Sequence, residues 1–185
     1  MRNKVIIFII LVLIAGAGYF YYSDRNVEPA ENGAIPQVES LSPQAGLPPL
    51  VEAKRQAIYK AAMARDYALL AAEAGEDLSY SFGGPVEGGF AEFLRMSEAS
   101  EKESAFDIIP ALLKMPYAVL GDNLIYAWPS VFSKEPKDWT PEDISMMKTI
   151  LTDEQIEQYR QFGHYLYYRI GITTEGKWIY YIAGD

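Results

Sequence analysis

The chain has 185 residues, half of them hydrophobic and 14% aromatic, with a formal charge of −9 and no cysteine. Beyond Tyr22 there are 14 basic and 25 acidic residues, so that part carries −11, a surface that repels phosphate backbones and argues against nucleic acid as a partner. The absence of cysteine excludes disulfides, thiolate metal sites, a cysteine nucleophile and a lipidation cysteine.

The first element is Val5 to Tyr22, eighteen residues without a charge. A helix of that length spans about 27 Å, close to a bilayer's hydrocarbon thickness. Residues 1–4 include Arg2 and Lys4, whose charge favours a cytoplasmic N-terminus with everything after Tyr22 outside. Tyr19 to Tyr22 then fall at the outer interface. Ala15-Gly16-Ala17 follows ten apolar residues and has the form of a signal-peptide cleavage site. A single-pass anchor at residues 5–22 and a secreted protein cleaved near Ala17 are thus both readings, and both place the domain outside the cytoplasmic membrane. Residues 23–50 carry five prolines with Asn32-Gly33 and Gly46 between them, the composition of a linker without a core of its own.

Residues 51–185 are enough for one domain with a real core. Val51 to Ala74 is helical by composition, with Tyr59, Met63, Tyr67 and Leu70 as an inward stripe. Asp66 is placed to cap a second short helix after a break at Arg65, and Gly75 to stop it. Leu78, Tyr80 and Phe82 alternate with serines as in a half-buried strand ended by Gly83-Gly84-Pro85. Val86, Phe90, Phe93 and Leu94 predict a short amphipathic helix, and Ser97 to Glu103 a polar loop or solvated helix end. Ser104-x-x-Asp107 resembles a capping signal before Ile108, Ile109, Leu112 and Leu113. Pro110 then marks the first turn or a kink, and Pro116 the end.

Asn123 to Trp128 predicts a buried strand closed by Pro129. Thr140-Pro141 opens a helix with Ile144 and Met147 inward, and Thr152-x-x-Gln155 is a capping box for another carrying Ile156 and Tyr159. Two aromatic and β-branched runs, Tyr165 to Ile172 and Lys177 to Ala183, predict a hairpin through Thr173-Thr174-Glu175-Gly176. Apolar residues on both faces of each run place them centrally or under cover on both sides. The expected fold class is therefore α+β: an N-terminal transmembrane helix, then helices packed on a small antiparallel sheet ending in an aromatic β-hairpin.

Motifs with chemistry are few. His164 is the only histidine, which excludes a histidine metal cluster and leaves only a lone general base. Gly171-x4-Gly176-Lys177 has Trp178 where a P-loop needs Ser or Thr, and a strand follows it instead of a helix. Ser145-Met-Met-Lys148 lacks the companion motifs of penicillin-binding enzymes. No catalytic residue, metal or cofactor is assigned.

The remaining signal is aromatic. Tyr165, Tyr167, Trp178 and Tyr180 crowd the hairpin with Arg169 and His164, and Tyr126 and Trp128 lie on a neighbouring strand. Tyrosine and tryptophan combine apolar area with a polar tip, so these eight are the candidates for a ligand- or partner-binding face, a packed core being the alternative.

The ending, with Arg169–Ile172 (RIGI), Glu175-Gly176-x-Trp178 and Ile182–Asp185 (IAGD), resembles a pattern in small exported bacterial proteins of unknown function. Tyr126-x-Trp128-Pro129 and Lys54–Ala74 fit the same pattern. That resemblance implies an exported domain and supplies no catalytic residue. The opening helix followed by Asp77–Gly84 (DLSYSFGG) is similar to the start of nuclear-transport-factor-like domains, which implies a curved sheet wrapped around helices to form a pocket. Two further helices between Trp139 and Gln161 depart from that family's order. The functional expectation is a membrane-tethered extracytoplasmic binding or interaction module, with a small envelope enzyme using carboxylate, tyrosine and His164 chemistry as the alternative.

Overall fold

A computed structural model describes residues 40–81, 86–101, 103–122 and 124–184. The apolar segment 5–22 and the linker up to residue 39 lie outside these residues, as do Phe82 to Pro85. No helix among the described residues is long and apolar enough to cross a membrane.

The domain is α+β. Its helices are α1 (Pro49–Met63), α2 (Tyr67–Ala74), α3 (Gly89–Glu101), α4 (Ala105–Lys114), α5 (Pro141–Met147) and α6 (Asp153–Phe162). Its strands are β1 (Ala118–Leu120), β2 (Ile125–Trp128), β3 (Arg169–Thr173) and β4 (Trp178–Ile182). The strands form one antiparallel sheet in sequence order. The long connection between β2 and β3 holds two 3-10 turns, α5 and α6.

The helix boundaries follow local chemistry. Pro49 opens α1, where a missing N–H costs nothing. Arg65 adopts a φ of 53° and breaks the run, and Asp66 then accepts from Ala68 N at 2.8 Å and Leu69 N at 3.1 Å to start α2. Thr140 and Thr152 form capping boxes with Asp143 and Gln155. Ser104 caps α4 by accepting from Phe106 N. Helix α4 runs on through Pro110 to Lys114, so the proline sits in its interior, where it withholds the N–H that Phe106 O would otherwise accept.

Three local expectations are corrected. Of the stripe Tyr59, Met63, Tyr67 and Leu70, Tyr59 and Leu70 are buried and Tyr67 packs against the core, whereas Met63 does not belong to it. The buried residues of α1 are Val51, Arg55, Ile58, Tyr59, Ala61 and Ala62, and Met63, one residue further round, is 44% exposed. The described part of the serine-alternating segment, Leu78 to Ser81, forms an isolated bridge and not a strand: Ser79 bridges Tyr180 in parallel, donating to Ile179 O and accepting from Tyr181 N, each at 2.9 Å. That contact shields part of the β4 edge. Tyr165 to Tyr168 also precede the strand, which begins at Arg169.

The proline-rich stretch is not all tether. From Ser40 it is fastened to the domain by side chains that read its backbone. Gln56 pairs with Leu41 N and O at 3.0 and 2.8 Å, Arg55 Nη2 donates to Ser42 O at 2.7 Å, and Tyr117 OH donates to Ala45 O at 2.9 Å. Gln44 accepts from Trp128 Nε1 at 3.0 Å and donates to Met115 O at 2.7 Å. Helices α1 and α4 pack on each other and on β3, giving a core around Ile58, Ile109, Leu112, Leu113, Trp128 and Ile170.

Candidate functional site

The sheet separates the eight candidate residues. Pairing places Tyr126 opposite Ile172 and Trp128 opposite Ile170, which in turn faces Tyr181. A register shift at Gly171/Ile172 sets Trp178 opposite Ile172, where its ring meets Phe90 edge-on at 5.4 Å. Trp128 is fully buried and Trp178 nearly so. Their indole N–H groups are satisfied internally, by Gln44 and by Tyr180 O at 2.8 Å. Tyr165 is buried and donates to Tyr168 O at 3.1 Å. These side chains are core in the folded domain, as is Tyr126.

Arg169 and Tyr180 lie on the other face and are half-buried. Gly171 faces Tyr180 across the strands, and the ring lies so close that a Cβ on Gly171 would come within 2.2 Å of Tyr180 Cε1. Arg169 donates to Gly184 O and stands 5.8 Å from the Phe132 ring. Burial pushes the Tyr180 hydroxyl up to about 12, against the pull of the Arg169 charge. His164 is exposed just past α6, after Gly163, whose φ of 88° ends the helix.

Tyr167 connects to a different feature. Its hydroxyl donates to Glu103 Oε2 at 2.8 Å, and burial together with that carboxylate raises its pKa far above the ordinary tyrosine value. The pair stands at one end of a groove along α4. The main chamber has a volume of about 490 Å³ and is walled by Met63, Phe106, Pro110, Ala111, Met115 and Met146, with Asp107, Lys114 and Thr149 on its rim. It shares Asp107, Ala111 and Thr149 with a chamber of about 300 Å³ that reaches Glu103 and Tyr167. At the other end it shares Lys114 and Met146 with a chamber of about 420 Å³ that reaches Gln44 and Tyr117.

The groove exists because α4 is apolar around most of its circumference. Ile109, Leu112 and Leu113 fill the core, and Phe106, Pro110 and Ala111 face the gap between α1 and α5. Such a helix has more apolar surface than one packing partner can cover. Three methionines, unbranched and polarizable, make the walls adaptable. The rim is charged at both ends. Asp107 is held by Arg65 at 2.8 Å, an exposed pair that is worth little by itself.

The arrangement offers an apolar slot with hydrogen-bonding groups at its ends. Tyr167 is a donor here and not a base, since its phenolate is disfavoured by both burial and Glu103. Among the described residues no three acidic or histidine side chains lie close enough to hold a metal ion. Sequence reasoning missed the groove, although the run Ile108-Ile109-Pro110-Ala111-Leu112-Leu113 carried its signal. No protein-family model, curated protein or solved structure matches this chain.

Proposed function

We propose that the chain is a membrane-tethered extracytoplasmic binding module whose partner site is the groove along α4. The observation that carries this reading is an open, mostly apolar trough of about 490 Å³, within the size range of ligand pockets, with a few polar groups at its rim. The uncharged segment 5–22 after Arg2 and Lys4 supports the tether and the side of the membrane. The fastened stretch Ser40–Gly46 would bring the chain onto the domain beside Lys114. Arg169 and Tyr180 are the hairpin candidates that remain reachable on the sheet's other face, and Tyr167 is the one that joins the groove.

Two measurements test it. The intact N-terminus should pellet with membranes after carbonate extraction. A soluble envelope form starting at Gly18 would replace the anchor with a cleaved signal. Photoreactive residues placed at Ala111 or Met146 of the full chain in cells should give discrete adducts that one at His164 does not. Identical adduct patterns from all three positions would remove the groove as the partner site.

The enzyme alternative has one observation in its favour, the Tyr167–Glu103 pair at the groove's end. It would act as a hydrogen-bond donor set, and Tyr167→Phe would then abolish turnover without loosening the fold.

A further inference from the structure

The groove has a polar annex. Ser40, Ser42, Gln44, Arg55, Tyr59 and Lys114 line a chamber of about 420 Å³, and Lys114 is common to this chamber, the apolar one and the Tyr117 end. The side chain therefore stands where an oily wall meets a polar one. None of the ion pairs among the described residues includes Lys114. Its ammonium lies 5.6 Å over the Tyr59 ring, a contact that fixes position without neutralising charge.

Its surroundings also leave room for an anion. Asp107, the carboxylate that shares the main chamber with Lys114, is paired with Arg65 at 2.8 Å, and Glu52 is taken up by Arg55 at 2.8 and 2.9 Å and by Gln56 at 2.6 Å. Lys114 ends α4, where unpaired carbonyls ordinarily repel anions. Here Leu113 O accepts from Arg55 Nη1 at 2.7 Å and Met115 O accepts from Gln44 at 2.7 Å, so the helix terminus is capped by a guanidinium and an amide. An apolar slot, an uncompensated cation at its mouth and a hydroxyl-bearing annex behind it match one chemistry.

We infer that the groove binds an anionic amphiphile, one acyl chain lying along Met63, Phe106, Pro110, Ala111 and Met146 and its anionic oxygens at Lys114 beside Ser40, Ser42 and Tyr59. This rests on the α4 groove being the binding site and adds the ligand class. Apolar burial supplies most of the affinity and the charge-assisted contact selects the head group. The methionine walls accommodate chains of different length. A free fatty carboxylate and an anionic membrane lipid both carry this chemistry.

The test uses the full chain in nanodiscs of zwitterionic lipid at pH 8, with methyl-labelled methionine read by NMR. Dodecanoate should shift the Met63, Met115 and Met146 methyls saturably and leave Met96, which is 55% exposed on α3, unmoved. Lys114→Gln should weaken dodecanoate about tenfold, the order expected for one charged hydrogen bond. Lys177→Gln, at the hairpin turn, should not. Dodecanol should bind the unaltered protein as weakly as dodecanoate binds Lys114→Gln, and Ala111→Trp, which fills the slot, should abolish both. The same three shifts on adding anionic phospholipid to the discs would identify the bilayer as the source. A response to dodecanoate alone would identify a soluble one. Equal affinity for dodecanoate and dodecanol, no effect of Lys114→Gln, or shifts confined to Met96 would overturn the inference. Discrete groove adducts without methyl shifts would sink the amphiphile while keeping the groove as a partner site, and the absence of both would sink the groove as well.

Discussion

The aromatic sheet and the α4 groove are built from opposite materials. The sheet's buried face gathers Tyr126, Trp128, Trp178 and Tyr181, each buried, with polar tips tied to Gln44 and to backbone carbonyls where bonds form. The groove is made of Met63, Pro110, Ala111, Met115 and Met146 with one aromatic wall, Phe106. Large aromatics deliver the most burial per residue, so a small domain spends them on its core. The surface left open is then walled by whatever the second side of a core helix carries.

The contrast can be broken most severely at Trp128. The side chain has no exposure, and Trp128→Ala would leave a large cavity and strand Gln44, which also holds Met115 O. A loss of about 3–5 kcal/mol is expected, read as a fall in urea midpoint at constant slope. A loss under about 1 kcal/mol would mean that Trp128 is not core.

A smaller effect is expected where the sheet's other face is tightest. Gly171→Ala would press a methyl into the Tyr180 ring, and because Tyr180 is only half-buried the ring can swing outward, for a cost of about 1–3 kcal/mol. Adding Tyr180→Ala removes the obstacle, so the double variant should be more stable than the two separate losses predict. Strict additivity would show that ring and glycine are not in contact.

Acid should expose the next effect. Burial raises the Asp143 carboxyl, but hydrogen bonds from Lys134 at 2.7 and 2.8 Å and from Thr140 outweigh it and hold the carboxyl below the ordinary aspartate value. A group depressed in the folded state binds its proton more readily when unfolded. Its stabilisation is therefore full above about pH 4, the unfolded aspartate range, and disappears as pH falls through the lower folded value. Asp143→Asn should cost about 1 kcal/mol at pH 7, as for a lost cap interaction, and should flatten the acid limb of the stability profile. A parallel profile, displaced but equally steep, would take Asp143 out of the acid response.

How much of this was legible follows from where each signal resides. Caps are local, so Asp66, Thr140 and Thr152 announced α2, α5 and α6 correctly, and the β-branched and aromatic runs announced β3 and β4. Strand β1 was not announced, because Ala118-Val119-Leu120 is too short to show a period. Nothing in the sequence around Arg55 marks it as buried. It is 1% exposed because, besides its local partner Glu52, it bonds Leu113 O and Ser42 O, partners far along the chain that no local pattern can name. The same reason hid the fastening of Ser40–Gly46. The candidate site was half visible: aromatic richness pointed to the hairpin, whereas the open surface depends on which side of α4 is left uncovered. That is a tertiary fact. Met63 shows it most simply, since Tyr59 and Leu70 of the same stripe are buried while Met63 is left 44% exposed.

Met63 also gives the smallest stability effect and the cleanest separation of the two regions. It is 44% exposed at the end of α1 and walls the groove, so Met63→Glu removes little buried area and leaves its new charge in water. The change in unfolding free energy should stay within about 0.5 kcal/mol, with an unchanged near-UV spectrum from the aromatic core. The groove wall, by contrast, gains a carboxylate within an apolar lining, and desolvating it against a bound apolar group is unfavourable. Binding at the groove should therefore fall at least about tenfold, a penalty of about 1.4 kcal/mol, in a protein as stable as the original. A Met63→Glu variant that unfolds more easily would return Met63 to the core and close the groove at that end. A variant equally stable and equally competent to bind would move the site away from α4.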